Sequence, residues 1–140
     1  MTHLCELGPR LRGLAVACLL LAVASLHAAP PTSAAEIAAA YATQVGAPTE
    51  PPRGQRFFNT VHSRDWSCAS CHGAVPTQAG RHAATGKPIA ALAPAFNPER
   101  FTDAAKVDKW FRRNCNDVLG RECSAAEKAD VLGWLLSLKP

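Results

Sequence analysis

Apolar residues recur at helical spacing near both ends of the chain. Residues 33–36 read Ser-Ala-Ala-Glu, the pattern of a capping box, and open an Ala-rich helix that we expect to end near Gly46. Residues 124–127 repeat this pattern before a final helix, which Pro140 ends. The inward positions of that helix are predicted to be Val131, Leu132, Leu135 and Leu138. We expect the first and last helices to pack together, with Trp134 in their contact.

Two further helices are predicted between these. The first is short, about residues 53–59, because Pro48, Pro51 and Pro52 oppose regular structure before it. In the second, Thr102 is the predicted N-cap and Asp103 lies in the first turn. Its buried stripe is predicted to be Val107, Trp110 and Phe111. No strand pattern of any length competes, so the sequence predicts an all-α fold.

Residues 60–97 show no sustained period of 2 or 3.6 and are rich in Gly, Pro, Ala and Thr. So long a structureless stretch is unusual inside a compact domain. We therefore expect a bound group to organise it.

The N-terminal segment has the pattern of an export signal. Arg10 and Arg12 precede an apolar run over residues 14–26, which is too short to anchor a protein in a bilayer. We predict a cleaved signal peptide over residues 1–28 and a single domain over residues 29–140, located in the periplasm. A lipoprotein site at Cys18 is the weaker alternative. The domain contains one adjacent basic pair, Arg112-Arg113, so no nucleic-acid partner is expected.

The numbers of cysteine and methionine residues narrow the possible function. The chain has six cysteines and one methionine. Signal removal takes away Met1, Cys5 and Cys18, so the exported domain retains four cysteines and no methionine. Cys115 and Cys123 are expected to form a disulfide in an oxidising compartment. The disulfide should stabilise the folded protein by somewhat under about 3 kcal/mol through loop entropy.

The other two cysteines stand in the sequence Cys68-Ala69-Ser70-Cys71-His72. Two thiols at this spacing can each form a thioether with one haem, and the adjacent histidine is then placed as an axial ligand to iron. A zinc site would require a second close cysteine pair, and a thioredoxin-like dithiol belongs on a βαβ frame. The motif therefore predicts one covalent haem c held by Cys68, Cys71 and His72.

The sixth iron ligand is left open by the residues alone. Because no methionine is available, the candidates are His62, His82, a weaker oxygen donor, an open position, or one of the lysines Lys87, Lys106 and Lys109. Asn114 follows Val107 and Phe111 on one helical face, which would direct its amide towards the haem. A helix C-cap role for Asn114 is an equally good interpretation of the same pattern.

At this point the sequence resembles a known family, SHP (sphaeroides haem protein), whose members are high-spin class I cytochromes c. The likeness runs from about Glu36 to Leu138 and is most specific at Arg113-Asn114-Cys115-Asn116, which continues through Gly120-Arg121-Glu122-Cys123. Further matches are Ser67-Cys68-Ala69-Ser70-Cys71-His72-Gly73, Thr85-Gly86-Lys87, Leu92-Ala93-Pro94, Arg100-Phe101-Thr102-Asp103, Glu127-Lys128-Ala129-Asp130 and Trp134-Leu135.

The resemblance implies that Asn114 is the sixth ligand to ferric iron and leaves on reduction, so that oxygen or another small diatomic ligand binds. It also implies the disulfide Cys115–Cys123, and electron donation by a dihaem cytochrome c and a membrane b-type cytochrome. Two alternatives remain: a low-spin bis-histidine electron carrier that uses His82, and a haem enzyme acting on oxygen, peroxide or nitric oxide. A peroxide-using enzyme usually needs a distal acid–base group, and His82 is the one evident candidate.

Overall fold

The computed structural model describes residues 33–140, and the predicted signal peptide lies outside these residues. The described chain is helical, with two very short antiparallel strands in which Gly80 pairs with Ile89 and Arg81 with Pro88. In chain order its elements are α1 (Ala34–Val45), α2 (Pro51–Asn59), α3 (Ala69–His72), β1 (Gly80–Arg81), β2 (Pro88–Ile89), α4 (Ala104–Leu119) and α5 (Ala125–Ser137).

The capping signals of the first and last helices are confirmed. The Ser33 hydroxyl accepts a hydrogen bond from the Glu36 N–H, and α1 ends at Gly46, whose φ of 68° is left-handed. At the start of α5, Ser124 and Glu127 each accept a hydrogen bond from the other's backbone N–H. These boundaries are therefore set by residues within one turn of each end.

Four expectations need correction. Helix α2 begins at Pro51, two residues early, because a proline in the first turn loses no helical hydrogen bond. The N-cap of α4 is Asp103 and not Thr102, since the Asp103 carboxylate accepts from the Lys106 N–H. Trp110 is 46% exposed and not part of the buried stripe. The two short strands interrupt a segment predicted to have none.

The main core lies where α5 packs against α1 and α2, so the predicted packing of the first and last helices is confirmed. The ring contact of Trp134 is with Phe58 of α2, at 5.0 Å between centroids. Helices α2 and α5 come very close at Gly54, where a Cβ would lie 2.0 Å from the Asp130 carbonyl oxygen. Larger residues of this core are Ile37, Tyr41, Phe58, Val107, Val131, Leu132, Trp134 and Leu135.

The buried Asp130 carboxylate fixes the start of α2. It accepts a hydrogen bond from the Glu50 N–H at 2.7 Å and pairs with the Arg53 guanidinium. An anion at this position also favours the positive end of the helix dipole. Because α2 carries Phe58 towards the Cys-x-x-Cys-His motif, this anchor positions one wall of the candidate site. Among residues 33–140, no helix is long and apolar enough to cross a membrane.

Candidate haem-attachment site

The motif residues lie on one tight helical turn that two serines hold in place. The Ser67 hydroxyl accepts from the Ser70 N–H at 3.1 Å, and the Ser70 hydroxyl accepts from the Ser67 N–H at 3.0 Å. The Cys68 carbonyl then accepts from the N–H groups of Cys71 and His72. Residues three and four apart share one side of such a turn. The two thiols and the imidazole are therefore grouped on one side of α3.

Three contacts with other segments hold this turn in place. A Cβ at Gly80 would lie 2.1 Å from the Cys71 carbonyl oxygen, so only glycine allows β1 to approach α3 this closely. The Ala83 N–H donates to the Cys71 Sγ at 3.3 Å. On another side, the Phe58 ring lies 6.2 Å from the His72 ring. No local sequence pattern marks Phe58, Gly80 or Ala83, since their roles depend on contacts between distant segments.

Burial sets the protonation of the motif. It raises the pKa of the Cys68 thiol to about 11 and, with the nearby Arg100 charge adding to the effect, lowers the pKa of His72 to about 4. At neutral pH the imidazole is therefore uncharged, which is the form that coordinates a metal. Cys68 and Cys71 are both half-buried free thiols. This donor set fits a covalently attached haem, which needs two thiols for its vinyl groups and one neutral imidazole for iron.

His62 already has a structural partner. Its Nε2–H donates to the Phe57 carbonyl at 2.9 Å, and its ring packs against the Phe57 ring at 4.8 Å between centroids, with the ring planes tilted by 52°. Its backbone N–H donates to the Trp66 carbonyl. His62 therefore fastens the loop that precedes the motif to the end of α2.

His82 lies in the hairpin that packs on the motif itself. Its Nδ1 accepts from the Thr85 N–H at 3.3 Å, and its neighbour Ala83 bonds to Cys71. The segment that carries His82 lies against the Cys71–His72 backbone through Gly80. The three candidate lysines are exposed. Lys87 lies in the same hairpin, where its carbonyl accepts from the His82 N–H, and Lys106 and Lys109 lie on α4.

Asn114 lies inside α4 and does not cap it. The helix continues to Leu119 and ends at Gly120, whose φ of 73° is the left-handed cap. The Asn114 side chain is exposed, and within residues 33–140 its amide makes no hydrogen bond. At 3.6 residues per turn it lies about 20° from Val107 around the helix axis, at the edge of the buried face. The C-cap interpretation is therefore wrong, and the amide is available to a ligand on that edge.

The residue after Asn114 is firmly anchored. Cys115 and Cys123 form a disulfide with their Cα atoms 5.6 Å apart, and both are buried. With Leu119 they form a second, smaller core beside the main one. Ser63, just upstream of the motif, donates from its hydroxyl to the Leu119 carbonyl at 2.6 Å. The end of α4 is thereby joined to the segment that leads into the haem-attachment turn.

Several known proteins are similar to this chain in sequence and in fold. Residues 44–135 match the model of a family described as a domain of unknown function, DUF1924. The chain is 48% identical over 108 residues to the cytochrome c-type protein SHP of Cereibacter sphaeroides, an alignment that covers 74% of this chain and 83% of the relative. The chain belongs to the SHP family of c-type cytochromes. It is also 45% identical over 82 residues to cytochrome c'' of Methylophilus methylotrophus, which covers 59% of this chain and 57% of the relative.

Solved structures of this family have the same fold. Oxidised SHP, described as an oxygen-binding cytochrome c, matches with a TM-score of 0.72 and 46% identity, covering 77% of this chain and 99% of that one. Oxidised cytochrome c'' of M. methylotrophus matches with a TM-score of 0.70 and 34% identity, covering 76% and 95%. As an SHP-family cytochrome, this protein has an all-α cytochrome c fold and one haem c as its cofactor.

Proposed function

We propose that this SHP-family protein is an exported monohaem cytochrome that binds oxygen or nitric oxide at its haem iron after reduction. The Asn114 amide would bind the ferric iron, and reduction by one electron from a cytochrome partner would release it. Two relatives support this proposal. SHP is described as an oxygen-binding cytochrome c, and a solution structure of cytochrome c'' is described as giving insights into haem-ligand detachment.

The observation that carries the proposal is the combination of a free amide and a fixed backbone at Asn114. The amide has no hydrogen-bond partner among the described residues, so it loses nothing in the chain when it binds or releases iron. The backbone beside it is held by the buried Cys115–Cys123 disulfide. The side chain can therefore swing between two positions while α4 remains in place.

The choice of an amide explains the dependence on reduction. The haem supplies an iron that exchanges one electron and has one coordination position that His72 does not fill. A neutral amide oxygen is a hard, weak donor, which ferric iron tolerates better than the softer ferrous iron. Asn114 would therefore bind the ferric iron and be released from the ferrous iron. An imidazole such as that of His82 would stay bound in both states.

The electron source and the location belong to the same proposal. The family resemblance suggests a dihaem cytochrome c and a membrane b-type cytochrome as donors. The basic, apolar N-terminal segment suggests export to the periplasm, where a disulfide such as Cys115–Cys123 persists.

The decisive experiment replaces Asn114. In the Asn114→Ala variant nothing has to leave the ferric iron, so we expect cyanide or nitric oxide to bind about 10-fold faster or more, the factor given by about 1.4 kcal/mol of lost ligand bond. Asn114→His should be low-spin in both oxidation states and should bind carbon monoxide slowly. Absorption spectra and stopped-flow binding measure both effects. Asn116→Ala is the matched control, because the Asn116 amide already donates to the Arg112 carbonyl at 2.9 Å.

His82→Ala distinguishes the bis-histidine alternative. If this variant changes the ferric spectrum and Asn114→Ala does not, then His82 is the ligand and the proposal is wrong. Steady turnover of peroxide or nitric oxide by the wild-type protein would instead assign it to the haem enzymes.

A further inference from the structure

Trp110 is a large side chain with no evident structural role in the described chain. It lies on α4 one turn before Asn114, and it is 46% exposed although its neighbours Val107 and Phe111 are buried or half-buried. Its indole Nε1–H makes no hydrogen bond within residues 33–140. A tryptophan that is well packed usually finds a partner for this group.

The position of Trp110 relative to Asn114 suggests what covers it. Residues four apart are neighbours on a helix surface, about 40° apart around its axis. If the Asn114 amide binds the iron, the next side chain along the same edge of α4, Trp110, would be near the haem. A ring of that size would cover an indole that the rest of the described chain leaves exposed.

Building on the proposed function, we propose that Trp110 lies against the haem on the Asn114 side and that its Nε1–H is the hydrogen-bond donor for the ligand that replaces the amide. The indole nitrogen can only donate, so it offers nothing to the iron itself and does not compete with Asn114. It would favour polar diatomic ligands that accept a hydrogen bond. Trp110 is then a specificity-determining residue of the site.

Arg113 packs against the indole. Its guanidinium lies 5.6 Å from the centre of the Trp110 ring, a cation–π contact. Its charge has no carboxylate partner within 4 Å among the described residues. Arg113 therefore remains able to hold the ring through a change of ligand at Asn114. This contact favours one orientation of the indole and so one direction for its N–H.

The test compares Trp110→Phe with Trp66→Phe. Phenylalanine keeps an aromatic ring and removes the N–H, so oxygen release from the reduced protein should become about 2- to 10-fold faster, the effect of one hydrogen bond. Carbon monoxide release should change much less, since carbon monoxide is a poor hydrogen-bond acceptor. Trp66 is 40% exposed and lies in the loop before the motif, so the same replacement there should leave both rates unchanged.

A second measurement does not depend on ligand kinetics. In the diamagnetic carbon monoxide form, an indole N–H near the haem is displaced by the ring current in the proton spectrum, and Trp110→Phe identifies the signal. A displaced Trp110 signal supports the proposal, and a signal at the position of an exposed indole overturns it. Unchanged oxygen release in Trp110→Phe would overturn the donor role. The Asn114 proposal is judged separately, by ferric spectra and ferric binding rates, so the two can fail independently.

Discussion

Three side chains with the chemistry to bind iron, His62, His82 and Asn114, differ in whether they already have partners. His62 donates to the Phe57 carbonyl, and His82 accepts from the Thr85 N–H. The Asn114 amide has no hydrogen-bond partner in the described chain. A ligand that must bind in one oxidation state and leave in the other should have no strong competing bond. Asn114, which has no such bond in the described chain, is therefore the residue best suited to reversible binding.

A single side chain, Ser67, also helps to hold the turn that carries the two motif thiols. Ser67 is buried, and its hydroxyl accepts a hydrogen bond from the Ser70 N–H in the motif turn. We expect Ser67→Ala to lower the free energy of unfolding by about 1 kcal/mol, the usual cost of a lost hydrogen bond, and also to reduce the yield of covalent haem. Denaturant titration and haem staining of denatured protein measure the two effects.

Ser33→Ala is the control for that experiment. The Ser33 hydroxyl accepts a hydrogen bond from the N–H three residues later, as the Ser67 hydroxyl does, and it lies far from the motif in sequence. Ser33→Ala should lose similar stability and keep full haem attachment. Equal haem yields in the two variants would show that the Ser67 hydrogen bond serves stability alone.

At the scale of elements, the sequence predicts a helix end or a strand only when the interactions that determine it lie within a few residues. The caps at Ser33 and Ser124 and the glycine end of α1 could be located because each satisfies backbone groups within one turn. The β1–β2 pair could not, since β1 is held against α3 by the contact of Gly80 with Cys71. Periodicity also could not distinguish Trp110 from the buried Val107, because both lie near one helical edge.

The candidate site divides in the same way. The motif Cys68, Cys71 and His72 could be predicted from spacing, since the three side chains share one turn. The supporting contact of Phe58 with His72 joins α2 to α3 and has no local signature. For Asn114 the residues alone left ligand and cap equal. The position of Gly120 at the end of α4 removes the cap interpretation.

At the level of helix α4, the Cys115–Cys123 disulfide holds the backbone beside Asn114 in place. Cys115 follows Asn114 directly and is held in the small core by Cys123 and Leu119. We expect Cys123→Ser to lower the free energy of unfolding by somewhat under about 3 kcal/mol and to speed cyanide binding to the ferric protein, because α4 is no longer fixed beside the amide. Denaturant titration and stopped-flow absorption test the two parts.

A stability loss alone should not have this effect. Val118→Ala removes packing in the same small core while it leaves the disulfide intact. It should therefore destabilise the protein with little change in the cyanide rate. If Val118→Ala and Cys123→Ser speed binding equally, the disulfide has no specific role in holding Asn114.

At the scale of the whole molecule, α4 lies between two cores. Phe57 and Phe111 pack against both the main core and the small disulfide core, so they link the two. The segment from residue 60 to residue 97, by contrast, contains one four-residue helix and two two-residue strands. Regular secondary structure orders little of this segment. The covalent haem is the natural source of the missing apolar core.

Loss of the haem should therefore prevent folding of the whole domain. We expect the double variant Cys68→Ala plus Cys71→Ala, expressed with its own N-terminal segment, to give little folded protein in the periplasm. The chain has only nine aromatic residues, and without the ring the middle third has too little apolar surface to bury. Circular dichroism and protease resistance of the periplasmic fraction measure the outcome. The matched control is Cys115→Ser plus Cys123→Ser, which also removes two cysteines but leaves the motif intact, and it should yield a folded, less stable haem protein. Recovery of a stable haem-free fold from the Cys68→Ala plus Cys71→Ala chain would show that the polypeptide builds its core without the ring.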